Sequence, residues 1–198
     1  MSHLILIRHS SVPRAAPEPD TDWPLSQEGR DLCIPLSEAL RRFDPRVVAT
    51  SPMRRAQETA EIIATQLGIE WRTSEGLEEH RRPFVPGGLP AQDFQATMQR
   101  FFASPGERVF GEESADEARD RFATAIEAIL GAEPAGNVAI VSHGTVLALY
   151  AAPYFDLQPI DLWHRIAWPS FMVIDLHARR GLHLLETVSP HLPGEGPA

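Results

Sequence analysis

Two histidines in this chain each follow directly on an apolar run. Leu4-Ile5-Leu6-Ile7 leads into Arg8-His9, and Val138-Ala139-Ile140-Val141 leads into Ser142-His143-Gly144. An unbroken apolar run of this length fits a strand buried on both faces. Ligands of α/β folds collect beyond the carboxyl ends of such strands, so both imidazoles are placed to project over one edge of a single sheet. A neutral imidazole is a nucleophile available near neutral pH, and arginine beside it opposes its protonation while attracting an anion. The chain has only arginine for that purpose, because none of its 18 basic residues is a lysine. Schiff-base chemistry, lysine-dependent phosphate loops and lysine general bases are thereby excluded.

Other nucleophiles lack their partners. Cys33 has no arginine six residues further on, Asp20-Thr21-Asp22 does not follow a strand, and Ser142 lacks the glycine two positions earlier that a nucleophile elbow requires. Cys33 is also the single cysteine, which excludes an intramolecular disulfide framework and a cysteine-based zinc site. The remaining histidines, His3, His80, His164, His177, His183 and His191, show no metal-ligand spacing and read as structural or exposed.

The elements that must position these groups follow from the pattern. Strands are expected at 3–7, 47–49, 70–73 and 138–141, with a closing hairpin of 171–176 and 182–188 around Ala178-Arg179-Arg180-Gly181. Helices are expected from Ser26 to Phe43, from Ser51-Pro52 to Leu67, over 91–103, over 114–130 and over 145–152. Pro35 falls inside the first helix and predicts a kink or break. Residues 13–24 and 78–90 read as loops, and 193–198 as a frayed tail after a single domain of 1–192. Strands alternating with helices predict an α/β, three-layer sandwich with a mostly parallel central sheet and helices on both faces.

The motifs on this frame resemble those of the histidine phosphatase superfamily, the phosphoglycerate-mutase-like proteins. Leu4-Ile5-Leu6-Ile7-Arg8-His9 resembles the family's first signature, with Ser10 where glycine is usual. Asp22-Trp23-Pro24-Leu25-Ser26-Gln27-Glu28-Gly29 is similar to its helix entry, and Thr50-Ser51-Pro52-Met53-Arg54-Arg55-Ala56 to its second arginine motif. Leu77-Glu78-Glu79, Glu112-Glu113-Ser114 with Arg121, and Val141-Ser142-His143-Gly144 complete the set in the family's order.

The resemblance implies a phosphate pocket of Arg8, His9, Arg55 and His143, with His9 taking the phosphoryl group and Glu79 acting as proton donor at the mouth. It implies no cofactor and no metal. Glu78 stands beside Glu79 and competes for the acid's role. An acid must hold its proton part of the time, so the pKa of Glu79 is expected to be raised. Ser10 either donates to the phosphate or crowds a place where glycine would let the backbone approach. Arg81, ahead of Arg14 and Arg82, is the expected contact to the rest of the substrate, with Gly144 a further candidate. Arg55 has a competing reading as a solvated partner of Glu58 or Glu61, and Glu79 as an ion-pair partner of Arg81 or Arg82. Arg54, one position from Arg55, points elsewhere around the helix.

The short segment between Glu79 and His143 resembles the small phosphatase branch more than the mutases. A phosphatase acting on a small phosphorylated substrate is therefore expected, with a phosphomutase or a weakly catalytic phosphate-binding module as alternatives. The net charge of -9 argues against a broad surface for nucleic acid or anionic membrane. No apolar stretch is long enough to span a bilayer, which with the absence of a signal-peptide pattern makes the cytoplasm the expected location. The sequence leaves the oligomeric state open.

Overall fold

A computed structural model of the chain describes residues 3–13, 23–82, 90–133 and 136–186. Arg14, Asp22, His191, the tail 193–198 and large parts of the expected 13–24 and 78–90 loops lie outside the described residues. The elements run β1 (His3–Arg8), α1 (Gln27–Arg41), β2 (Pro45–Thr50), α2 (Arg54–Leu67), β3 (Glu70–Thr73), α3 (Ala91–Ala103), α4 (Ala115–Ala132), β4 (Asn137–Ser142), α5 (Gly144–Ala151), α6 (Pro159–Arg165), β5 (Ser170–Asp175) and β6 (Arg180–Leu185). A short 3-10 turn, Ala152–Phe155, joins α5 to the segment leading into α6.

The six strands form one sheet in the order β3-β2-β4-β1-β5-β6. β3, β2, β4 and β1 pair in parallel, while β5 is antiparallel to both β1 and β6. The sheet is thus mixed, with a parallel half that carries both histidine-bearing strands. Alternation along the apolar runs sends side chains to two separate cores. Leu4, Leu6, Val138 and Ile140 meet α4 and α5 through Phe122, Ile126 and Leu147 on one face. Ile5, Ile7, Ala139 and Val141 meet α1 and α2 through Leu36, Leu40, Ala60 and Ile63 on the other. The apolar runs are continuous because both sheet faces are covered.

α1 overturns the break expected at Pro35. It passes through Pro35 as one helix of 15 residues. The proline has no N–H for the carbonyl of Asp31, but Asp31 is exposed, so water can serve that group while Leu32, Leu36 and Leu40 keep the apolar stripe in the core. α2 begins at Arg54, later than Ser51-Pro52, because Ser51 and Pro52 form the corner after β2. α6 and the 3-10 turn carry no strong apolar period and escape a reading by pattern alone.

Candidate active site

The parallel register brings the strand ends into line. Arg8 pairs with Ser142, Thr50 pairs with Val141, and the His9 amide donates to the Ser142 carbonyl at 2.9 Å. The helix after β1 packs on one face and the helix after β4 on the other, so the two strands flank a switch point of the sheet. His9 and His143 therefore lie side by side, ring centroids 5.1 Å apart. Both are buried, as are Arg8, Arg55 and Glu79.

His9 is held in one tautomer by its neighbours. Nδ1 lies 2.7 Å from the Ser10 carbonyl, which only accepts, so Nδ1 carries the proton. Nε2 lies 3.1 Å from Nε–H of Arg55, which only donates, so Nε2 presents its lone pair. Burial, together with Arg55 and Arg8, holds the imidazole well below its ordinary 6.5. The structure thus presents a neutral ring with a bare nitrogen directed at an arginine. Arg55 is 4% exposed, which removes the reading of it as a solvated partner of Glu58. Arg54 takes that place, pairing with Glu58 at 2.9 Å on the exposed face.

Arg8 lies between two walls. Its guanidinium carbon sits 3.9 Å from the ring centroid of Trp168, and one arm donates to the Ile166 carbonyl. On the other side is Gly144, where an added Cβ would come within 2.8 to 3.0 Å of Cζ, Nη2 and Nε of Arg8. Gly144 therefore acts by making room for the arginine. Burial lowers Arg8 to about 10, still a cation at neutral pH, and its Nε has no partner among the described residues.

Ser10 turns away from this hollow. Its hydroxyl donates to the Gly29 carbonyl at 2.7 Å and its amide to Thr59 Oγ1 at 3.1 Å. The side chain braces the loop that carries His9 against α1 and α2, and of the two readings of Ser10, donation to phosphate would require the hydroxyl to leave the Gly29 carbonyl. Gly29 has its own reason to lack a side chain, since a Cβ there would stand 2.1 Å from the Ser11 carbonyl oxygen. The helix-entry motif thus seats the loop that carries His9.

Glu79 sits at the start of α5. One oxygen accepts from the Thr145 amide at 3.2 Å, the other from the His80 amide at 2.8 Å and the Val146 amide at 3.4 Å. Here the expectation of a raised pKa is overturned. Burial pushes the carboxyl up, but Arg82, the His80 and Thr145 amides and Arg8 together hold it below its ordinary value. Without a bound anion Glu79 is a carboxylate. Glu78 faces the other way, toward Arg121 Nη1 at 3.4 Å. Arg121 also donates to the carbonyls of Gly76, Glu78 and Glu79 and to both oxygens of Glu113, whose Oε1 accepts from the Arg81 amide. Arg121 and Glu113 therefore tie down the strip of backbone that presents Glu79.

A cleft of about 420 Å³ opens beside Glu79, lined by Pro52, Met53, Glu78, His80, Arg81, Arg82 and Glu112 among others. Arg81 is exposed on its rim. Arg82 is the cation that acts on the buried groups, as the foremost charge on Glu79 and a contributor at Arg8 and His143. Sequence reading undervalued Arg82 and His80, and it did not find Trp168, which stacks on Arg8 from a distant segment. Two adjacent arginines after the acid were the available signal for the first. Nothing local marks the last. Among the described residues, no cluster of three or more His, Cys, Asp or Glu is arranged to hold a metal ion, and no helix is long and apolar enough to cross a membrane.

The buried histidines predict a pH-dependent stability. An unfolded histidine takes up a proton below about 6.5, whereas His9 and His143 remain neutral in the fold, so the unfolded state binds more protons and stability falls as pH drops below that value. Going from pH 7 to 5.5 should cost on the order of 1 kcal/mol for each ring. Urea unfolding at the two pH values should show a loss of roughly 2 to 3 kcal/mol, flattened in a His9→Gln/His143→Gln variant. A wild-type curve without slope would contradict the neutral assignment.

Comparison with known proteins agrees with this geometry. The family model of the histidine phosphatase superfamily (branch 1) matches residues 4–187. A probable phosphoglycerate mutase, GpmB, of Yersinia enterocolitica is 26% identical over 168 residues, which cover 80% of this chain and 77% of that protein. An uncharacterized phosphatase, PhoE, of Bacillus subtilis is 26% identical over 150 residues, 74% of each chain. A mycobacterial glucosyl-3-phosphoglycerate phosphatase structure superposes with a TM-score of 0.69 at 21% identity, covering 86% of this chain and 88% of the other.

Proposed function

The chain belongs to the histidine phosphatase superfamily, and from that premise we propose that it hydrolyses a phosphomonoester through a phosphohistidine on His9. The observation that carries this reading is the tautomer of His9: a proton on Nδ1 given to the Ser10 carbonyl, and a lone pair on Nε2. Nε2 attacks phosphorus, and the bond from phosphorus to the leaving oxygen breaks as that oxygen takes a proton from Glu79. Water then attacks the phosphohistidine and gives a proton to Glu79. The Nε2–P bond breaks, and inorganic phosphate leaves.

The arginines supply the electrostatics. Arg8 and Arg55 balance the charge of a phosphate dianion, and charge-assisted hydrogen bonds of this kind contribute on the order of 1.5 to 3 kcal/mol each. Fixed donors around the transferring group stabilise charge on its equatorial oxygens without reorganisation at the moment of reaction. The bound dianion also offsets the field of Arg8 and Arg82 at Glu79. Burial then dominates at that carboxyl, and the proton needed by the leaving group can be held. A free carboxylate becomes an acid only in the presence of substrate.

The size of the cleft fits the leaving group of a small metabolite. The test is covalent capture. Protein mixed with a labelled phosphomonoester in the presence of a chelator and quenched within one turnover should carry phosphate that is stable to alkali, labile to acid and located on His9. Label on another residue, or none despite turnover, would sink the scheme. Free phosphate as the final product separates hydrolysis from the mutase alternative, in which the phosphoryl group returns to a substrate hydroxyl.

A further inference from the structure

Ser51 is fully buried at the corner after β2, against the second histidine. Its amide donates to the Val141 carbonyl at 3.0 Å, and its hydroxyl oxygen accepts from the Met53 amide at 3.2 Å. The same oxygen lies 2.8 Å from Nε2 of His143. A serine hydroxyl has one proton to give. Met53 N–H is a donor, so His143 Nε2 is the acceptor within reach among the described residues.

The two neutral tautomers of His143 are then unequal. With the proton on Nδ1, Ser51 donates to Nε2, and one N–H is left over for a ligand. With the proton on Nε2, the ring donates to Ser51 and two groups are stranded: the serine proton and a bare Nδ1 in a fully buried ring. A third possibility, the doubly protonated ring, is opposed by burial and by Arg55 and Arg8. In Arg8, next to His9 in the chain, Nε–H is likewise buried and without a partner among the described residues. Two such groups, one on the residue preceding His9 and one on the ring 5.1 Å from it, suit an oxyanion.

We propose that Ser51 is a positioning residue that holds His143 as the Nδ1–H tautomer, so that Nδ1 donates to a phosphoryl oxygen. The proposal rests on the hydrolytic reading for the identity of the ligand. It assigns to the serine of Thr50-Ser51-Pro52 a chemical role that the arginine of the same motif does not share. A bare Nδ1 would instead turn a lone pair toward the anion, and binding would oppose itself.

The experiment is long-range 1H–15N correlation of histidine side chains in the intact protein, with His143 assigned by its loss in His143→Gln. The expected wild-type pattern is a protonated Nδ1 and a pyridine-like Nε2, with Nδ1–H moving on titration with inorganic phosphate. Ser51→Ala should lose the single tautomer and weaken phosphate binding by roughly ten-fold, while Ser51→Thr, which keeps the hydroxyl, restores both. His9 should keep its own tautomer throughout. Wild-type His143 protonated at Nε2 would overturn the proposal, as would a Ser51→Ala protein with unchanged tautomer and affinity. If Ser51→Ala fails to fold, the wild-type spectrum and the Ser51→Thr titration decide. Full turnover by His9→Ala would overturn the hydrolytic reading alone, with the His143 spectrum and its phosphate response still standing.

Discussion

Replacing His9 by alanine should reduce phosphate release from an aryl phosphate by a factor on the order of 10⁴ or more, while inorganic phosphate remains bound within a few-fold of the wild-type affinity. The two halves of this expectation come from different atoms. Turnover needs the Nε2 lone pair, and alanine has none. Binding draws on the forks of Arg8 and Arg55 and on His143, none of which depends on His9 for its place in the chain. Arg8 is fixed by Ile166, Trp168 and Gly144, and His143 by Ser51. Arg55 loses one contact at Nε2, and phosphate oxygens can take it up. A stopped assay together with a phosphate titration separates the possibilities. Lost turnover with retained binding fits the proposed enzyme, and tight binding without turnover in wild type itself fits a binding module. Equal turnover in variant and wild type would remove His9 from the mechanism.

Much of this site was legible because its residues close strands. A buried parallel strand announces itself as an apolar run, and the residue after the run must emerge at the sheet edge, so Arg8-His9 and His143 could be placed without coordinates. Arg55 was readable from its motif, and its burial follows from the rotation of about 100° that separates it from its neighbour Arg54 on α2. What could not be read was the direction of side chains on irregular backbone. Ser10 could have faced either the hollow or α1, and only the position of Gly29 decides for α1. Trp168 reaches Arg8 from the segment before β5, more than 150 positions along the chain, where no local period marks it. The sign of the Glu79 shift was misjudged for a related reason. Burial could be anticipated, but the amides of His80 and Thr145 and the reach of Arg82 are facts of tertiary placement. The sheet's mixed half follows the same logic: the hairpin of β5 and β6 was expected, and its antiparallel docking on β1 comes from long-range pairing.

Glu79→Gln should lower turnover of alkyl phosphates by a factor on the order of 10² to 10⁴ and have much less effect on an aryl phosphate with a strongly acidic phenol. An alkoxide leaving group cannot depart without a proton, whereas a nitrophenolate can, so the loss must grow with the pKa of the leaving alcohol. The amide is nearly isosteric, but its NH₂ cannot accept, so either the bond from Thr145 or the pair from His80 and Val146 is surrendered. Some thermal stability should go with it. Retained turnover of the activated ester shows that the phosphate pocket survives the change, which isolates the proton from the fold. Glu78→Gln is the matched control, since Glu78 faces Arg121, and it should leave the dependence on leaving group unaltered. The pH profile has a definite sign. The protonated form of Glu79 is the active one toward alkyl phosphates, so kcat falls as pH rises through the pKa that the carboxyl acquires beside bound substrate, and this limb disappears in Glu79→Gln. An equal loss on both classes of ester would mean that Glu79 serves only to cap α5, and the proton would have to reach the leaving oxygen from another group.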